Sequence, residues 1–258
     1  MAKRLAPLCE SLILVGRDAA TLAALARDAQ AAGGRPRAIA ADLTMASGRD
    51  AVLRAASETR GGVDLLVNNA GAGEFAWLGD QDDAVLERIV RINVLAPMQL
   101  TRRLLPLLLA QPAARIVNVG SIFGYLGYPG HAAYCSSKFA LRGFSEALRR
   151  ELADGPVQVT YFAPRATHTA MNGAAMCALN AELGVAMDTP ESVAQALVAL
   201  LENPAAERPL GMPERLFAWL NQVAPRLVDC ALLRQLPVIR RHARGHAKSQ
   251  PLTQGVKS

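Results

Sequence analysis

Short apolar runs alternate with amphipathic helical patterns along most of this chain, and that alternation restricts it to few folds. Ser11 to Val15, Arg37 to Ala41, Val63 to Val67, Arg115 to Val119 and Val157 to Phe162 each read as buried strands. Helices are predicted between them. Asp18 caps one that stops at Gly33-Gly34, and Arg49 to Thr59 forms the next. A long helix runs from about Asp83 to Leu109 and bends at Pro97. Ala132 to Ala153 is a further helix. Thr189-Pro190 starts another, which ends near Asn203. Strands and helices in this order predict an α/β fold, with a doubly wound parallel sheet between two helix layers.

Composition bounds the rest. The 258 residues are 51% apolar and 19% charged, enough for one large core. The expected layout is a main domain over residues 1–204, a helical extension over 205–243 and a disordered basic tail over 244–258. The net charge of +6 comes from the end of the chain: from Arg226 onward there are seven basic residues and one acid. The other 225 residues carry 21 of each sign, so nucleic acid is not an expected partner. Cys9, Cys135, Cys177 and Cys230 are scattered, with no CxxC pair and no metal-ligand spacing. No metal is expected, and a reducing cytoplasm is the expected compartment. The most apolar run, Leu104 to Ala110, is too short to span a bilayer.

Chemistry concentrates in Ser121, Tyr134 and Lys138. Tyr134 and Lys138 are four apart on a predicted helix, hence on one face. Ser121 ends a predicted strand, and ligands of parallel sheets bind beyond the carboxyl ends of strands. A nearby ammonium is expected to lower the tyrosine pKa from about 10 and ready the phenol for proton transfer to a carbonyl oxygen. The serine would hold the same oxygen. Lys138 is one of only four lysines, and the other three lie near the termini.

Ser121 followed by Tyr134-Cys135-Ser136-Ser137-Lys138 resembles the active-site signature of the short-chain dehydrogenases/reductases. Asn68-Asn69-Ala70-Gly71 is similar to the family's Asn-Asn-Ala-Gly turn. Arg91-Ile92-Asn93-Val94 resembles the segment that carries its fourth catalytic residue, and Asp42-Leu43 the pair that contacts adenine. The resemblance spans about residues 12–200 and implies a Rossmann-like fold. It also implies an oxidoreductase that moves hydride between a nicotinamide cofactor and a small carbonyl or alcohol, working as a homodimer or homotetramer. It gives Asn93, Ser121, Tyr134 and Lys138 catalytic roles, Asn93 as the anchor of a water leading to Lys138. It assigns Arg17, Asp42, Leu43, Asn69, Ala70, Gly71, Pro164, Thr167 and Thr169 to the cofactor, together with Tyr134 and Lys138. Arg17 directly follows the first strand, where the family places the residue that reads the adenosine ribose. A base there accepts a 2′-phosphate, so NADP(H) is expected over NAD(H).

The pattern breaks at two places. The family opens with a strand and a Thr-Gly-x-x-x-Gly-x-Gly loop that cradles the pyrophosphate, whereas no glycine precedes Gly16 here. Met1 to Glu10 reads as the tail of the helix after that loop. Either the sequence starts late or the protein is a catalytically impaired remnant that acts by binding. The chain as written is expected to turn over weakly, with two strand edges left unpaired or forced to re-pair. Secondly, Pro164-Arg165 stands where the family has Pro-Gly, so Arg165 either reaches an acidic substrate group or is solvated.

Leu216, Phe217, Leu220 and Val223, then Leu227, Val228, Ala231 and Leu232, recur at helical spacing around Pro225. The first reading is two helices covering the cleft or a dimer face. The second is a helix pair at a membrane surface, since arginines flank the apolar faces.

Overall fold

The computed structural model describes residues 1–169 and 171–247. In chain order the elements are α1 (Ala2–Leu5), β1 (Leu12–Gly16), α2 (Ala19–Ala31), β2 (Pro36–Ala40), α3 (Ala46–Ser57), β3 (Leu65–Asn68), α4 (Asp83–Val90) and α5 (Ala96–Leu109). They continue with β4 (Ala114–Val119), α6 (Ala132–Glu151), β5 (Val157–Ala163), α7 (Ala174–Glu182), α8 (Pro190–Glu202), β6 (Glu207–Pro209), α9 (Met212–Val223) and α10 (Pro225–Ala247). Every strand pair is parallel.

Alternation along β4 places the layers. Ile116 packs with Leu100, Leu104, Leu108 and Leu148 of α5 and α6 on one face. Val117 and Val119 point the other way, onto Val193, Leu197 and Leu200 of α8. The α/β class is therefore as the sequence pattern requires, with helices on both faces of the strands. The local signals also hold. Asp18 accepts from the Thr21 amide at 2.6 Å, and Thr189 from the Ser192 amide at 3.1 Å, so both caps form.

The strands form two sheets. β1 pairs with β2 alone, and β3, β4, β5 and β6 form the other in that order. Among the described residues nothing pairs with the facing edges of β1 and β3. The space between them is lined by Leu12 to Val15 and Leu65 to Val67 and belongs to a cavity of about 1370 Å³. Of the two outcomes expected for these edges, they stay open rather than re-pair.

Four elements differ from expectation. The helix predicted over 83–109 is broken by a π-helical turn at Arg91–Leu95, before Pro97. Pro97 has no amide to give the carbonyl of Asn93, which favours the wider turn there. The stretch between β5 and Thr189, where no element is predicted, contains α7. The stretch expected to be helical from 205 opens with β6, whose Glu207 pairs with Tyr161 and extends the sheet. α10 continues past Arg244 to Ala247, into the expected tail. Residues 248–258 of that tail lie outside the described residues.

Candidate active site

β4 delivers Ser121 to its carboxyl end. Ser121 is extended, and its Oγ accepts from the Phe123 amide at 3.2 Å, starting a short 3₁₀ turn over Ile122–Gly124. Beneath this turn lies Tyr161 of β5, fully buried. Its hydroxyl accepts from the Ser121 amide at 3.2 Å and donates to the Ser121 carbonyl at 3.1 Å. A methyl group on Gly120 would stand 2.0 Å from the Tyr161 ring, so only glycine lets the ring support the serine this closely. Sequence reasoning missed Tyr161. Its one trace was the glycine directly before Ser121.

α6 brings Tyr134 and Lys138 to the same place. Lys138 is 4% exposed, and its Nζ donates to the Val119 carbonyl at 2.9 Å, one residue short of the Gly120-Ser121 turn. The same Nζ lies 5.7 Å from the centre of the Tyr134 ring. Ser121, Tyr134 and Lys138 all line the large cavity. The electrostatics differ from expectation. Burial pushes Tyr134 up to about 12, and the neighbouring Ser121 hydroxyl opposes this only weakly. Burial also lowers Lys138 to about 8. The ammonium sits over the ring and is spent on a carbonyl, so desolvation decides the phenol's state. Tyr134 is thus a neutral phenol at pH 7, in the form that donates a proton.

Asn93 lies in the π-turn and is 1% exposed. Its Oδ1 accepts from the Ala72 amide at 2.8 Å. Its Nδ2 donates to the Ala72 carbonyl at 2.8 Å and to Ser137 Oγ at 2.9 Å. Its side-chain amide therefore ties the loop after β3 to α6, at the residue next to Lys138. A second buried chain runs from Asn68 to Asn118 Oδ1 (2.8 Å) and from Asn118 to Ser145 Oγ (2.8 Å). Asn68 also donates to Thr101 Oγ1 at 3.1 Å. This chain ties β3, β4, α5 and α6 together under the site. Asn118 and Ser145 were not foreseen, since a lone amide inside a strand gives no signal until its partners are known.

The remaining expected residues divide into two groups. Leu43, Asn69, Ala70, Gly71, Pro164, Thr167 and Thr169 line the cavity. Arg17 and Asp42 stand outside that lining, at the ends of β1 and β2. They are close enough that the Arg17 charge adds to the Thr44 hydrogen bonds in holding the Asp42 carboxyl below its usual range. Arg165 is neither solvated nor free for a substrate anion. It pairs with Asp188 at 2.7 Å and Glu214 at 3.6 Å, which ties the loop after β5 to α9.

The wall around the Tyr134 hydroxyl is aromatic. His131 sits among Phe75, Phe123 and Tyr134, with ring centres 5.1, 5.3 and 5.9 Å away. Its Nε2 is 3.4 Å from Met176 Sδ, and burial lowers its pKa to about 4, so it is neutral. Tyr128, Met171, Met176 and Val185 line the cavity nearby, with Phe217, Leu232 and Gln235 from α9 and α10. The sequence did not show this wall, because it draws on four separated segments.

The donors at one end of the cavity suit a nicotinamide riboside. Lys138 has three N–H donors, is buried, and spends one on Val119. Gly71 lacks the Cβ that would stand 3.7 Å from Nζ and narrow the approach. Between β1 and β3 the strand residues that line the cavity, Leu12 to Val15 and Leu65 to Val67, are apolar and offer no side-chain donor to a phosphate.

Comparison with known proteins gives a consistent picture. The family model for short chain dehydrogenases matches residues 1–178. The ketoacyl reductase HetN of a Nostoc strain is 30% identical over 236 residues, covering 89% of this chain and 82% of its own. A short-chain dehydrogenase from Streptomyces avermitilis has a similar structure, with a TM-score of 0.73 and 26% identity, covering 93% of this chain and 92% of its own. A metagenomic short-chain oxidoreductase solved in complex with NADP has a TM-score of 0.67 and 29% identity, covering 81% of this chain and 90% of its own. On the matched residues and the shared fold, the chain belongs to the short chain dehydrogenase family and is an NAD(P)-dependent oxidoreductase of that type.

Proposed function

We propose that this protein reduces an apolar ketone or aldehyde, with NADP(H) preferred over NAD(H). One observation carries the reading: Ser121, Tyr134 and Lys138, from two elements, open into one cavity. When bound, the nicotinamide supplies or accepts the hydride. Tyr134 gives the carbonyl oxygen its proton, since burial keeps the phenol neutral. Ser121 holds that oxygen through its hydroxyl. Lys138 binds ribose hydroxyls with its two spare donors. Asn93 is a positioning residue that keeps the loop at Ala72 against α6. Leu43 and Asn69 to Gly71 flank the dinucleotide, with Asp42 toward the adenine. Pro164 and Thr167 would lie along its nicotinamide side, with Thr169 near the pyrophosphate. Phe123, Tyr128 and Met176 favour an apolar substrate body.

The NADP preference rests on Arg17, exposed at the end of β1 with Asp42 opposite. Titration of the protein with NADPH and NADH, followed by cofactor fluorescence, tests it. Arg17→Glu is expected to weaken NADPH about tenfold or more and leave NADH nearly unchanged. Equal loss of both would end the assignment.

A second reading, a family member that binds rather than turns over, is favoured by the open edges of β1 and β3. Turnover of NADPH with a panel of apolar ketones separates the two; cofactor binding without turnover supports the second. The four cysteines are free, which supports a cytoplasmic setting. Exposed Val90, Leu95 and Met98 near the π-turn and Phe139 on α6 support self-association as a homodimer or homotetramer.

A further inference from the structure

α9 is held firmly on its inner side. Ala218 packs into the cluster of Ile122, Tyr125 and Leu141, and Asn221 donates to the Tyr125 carbonyl at 2.9 Å. Glu214 adds its ion pair with Arg165. Its outer side is nevertheless apolar. Met212, Leu216, Trp219 and Val223 follow at i, i+4, i+7 and i+11, so they share one face, and they are 58 to 72% exposed. Leu227 and Leu233 of α10 are equally bare, at 61 and 62%. An anchored helix that keeps a tryptophan and three aliphatic side chains in water presents a surface for something else.

The charges beside this face select the occupant. Arg215, Arg226 and Arg234 are exposed, and among the described residues no carboxylate lies within ion-pair distance of them. Glu214 is spent on Arg165, which leaves Asp229 as the only free acid on the two helices through residue 243. A second copy of the chain would bring these cations against their own counterparts. An anionic lipid surface complements them, accepts the apolar face between them, and suits a half-exposed tryptophan at the headgroup level. Among the described residues no helix is long and apolar enough to cross a membrane, so such a helix would lie in the interface plane.

We infer that α9 and the start of α10 dock the protein on an anionic membrane surface. The same helices place Phe217, Leu232 and Gln235 on the wall of the large cavity. Docking therefore puts the substrate end of the cavity near the lipid, where apolar carbonyl compounds partition.

Vesicle flotation of the full chain tests this without reference to catalysis. Vesicles of phosphatidylcholine alone are compared with vesicles containing roughly a third phosphatidylglycerol. The wild type is expected to float with the anionic vesicles only, and less at high salt. The double variants Leu216→Glu/Trp219→Glu and Arg215→Glu/Arg226→Glu are each expected to lose about tenfold or more of the bound fraction. Leu78→Ser, at an exposed apolar position elsewhere, is the control and should bind normally. Circular dichroism checks that the variants fold, and in a Trp77→Phe background Trp219 emission should shift to the blue on binding. Absence of flotation with anionic vesicles overturns the inference. So does unchanged flotation of both double variants. If Leu216→Glu/Trp219→Glu instead dissociates a dimer in sedimentation velocity while the wild type ignores vesicles, a second copy covers this face and the inference falls.

Discussion

At the residue scale, burial governs the site more than the charge pairing that the sequence suggested. Tyr134 is held neutral, so Tyr134→Phe should lower reductive kcat by about 10²- to 10⁴-fold with an unchanged circular dichroism spectrum. A variant within a few fold of wild type would remove Tyr134 from the acid role. Lys138 tells the same story in stability. Its pKa falls from the ordinary 10.5 to about 8 in the folded chain. Between those values the unfolded chain keeps a proton that the folded chain has lost, so stability rises with pH across that window. Below pH 8 the cost of burying the ammonium is present in full. Lys138→Met should therefore raise Tm at pH 7 and flatten the rise above pH 8, while abolishing turnover. A lower Tm at pH 7 would show that the bond to the Val119 carbonyl outweighs desolvation. The identities of Ser121, Tyr134 and Lys138 were legible because their spacing is local and their chemistry unusual. The direction of the Tyr134 shift was not, because burial depends on which segments close over the ring.

At the element scale, the π-turn at Arg91–Leu95 and the β4–β5 junction carry the site. Asn93 satisfies both backbone groups of Ala72 and reaches Ser137. Asn93→Ala leaves those half-buried groups and the buried Ser137 hydroxyl without this partner, and should cost about 2–4 kcal/mol in urea denaturation. A loss below about 1 kcal/mol would mean that the loop finds other partners. Gly120→Ala drives a methyl into the Tyr161 ring, and should cost about 1–3 kcal/mol and displace Ser121. Tyr161→Leu should restore part of the stability of Gly120→Ala, which a merely local backbone effect would not allow. Caps and strand cores were legible as elements because each is written in a few neighbouring residues. The π-turn, α7 and β6 were not. Pro97 signals a bend without saying what kind, α7 has weak periodicity, and β6 is three residues long and exists only because β5 offers it an edge.

At the scale of the whole molecule, the two sheets should differ in stability. β3 to β6 pack on both faces against large clusters. β1 and β2 form a two-stranded sheet with its own small cluster of Ala6, Leu14, Leu22 and Ala29. Amide hydrogen exchange should be at least about tenfold faster in β1 and β2 than in β4 and β5. Uniform protection would show that the sheets open as one unit. The sequence alone determined the α/β class, the order of most elements, the catalytic candidates and the family, all of which rest on short-range periodicity and motif spacing. The tertiary structure alone decided that the β1 and β3 edges stay apart, that Asn118 and Tyr161 support the site, that Arg165 is consumed by Asp188 and Glu214, and which face of α9 meets solvent. These depend on contacts between residues tens of positions apart, and a chain read in one dimension does not contain the distances that decide them.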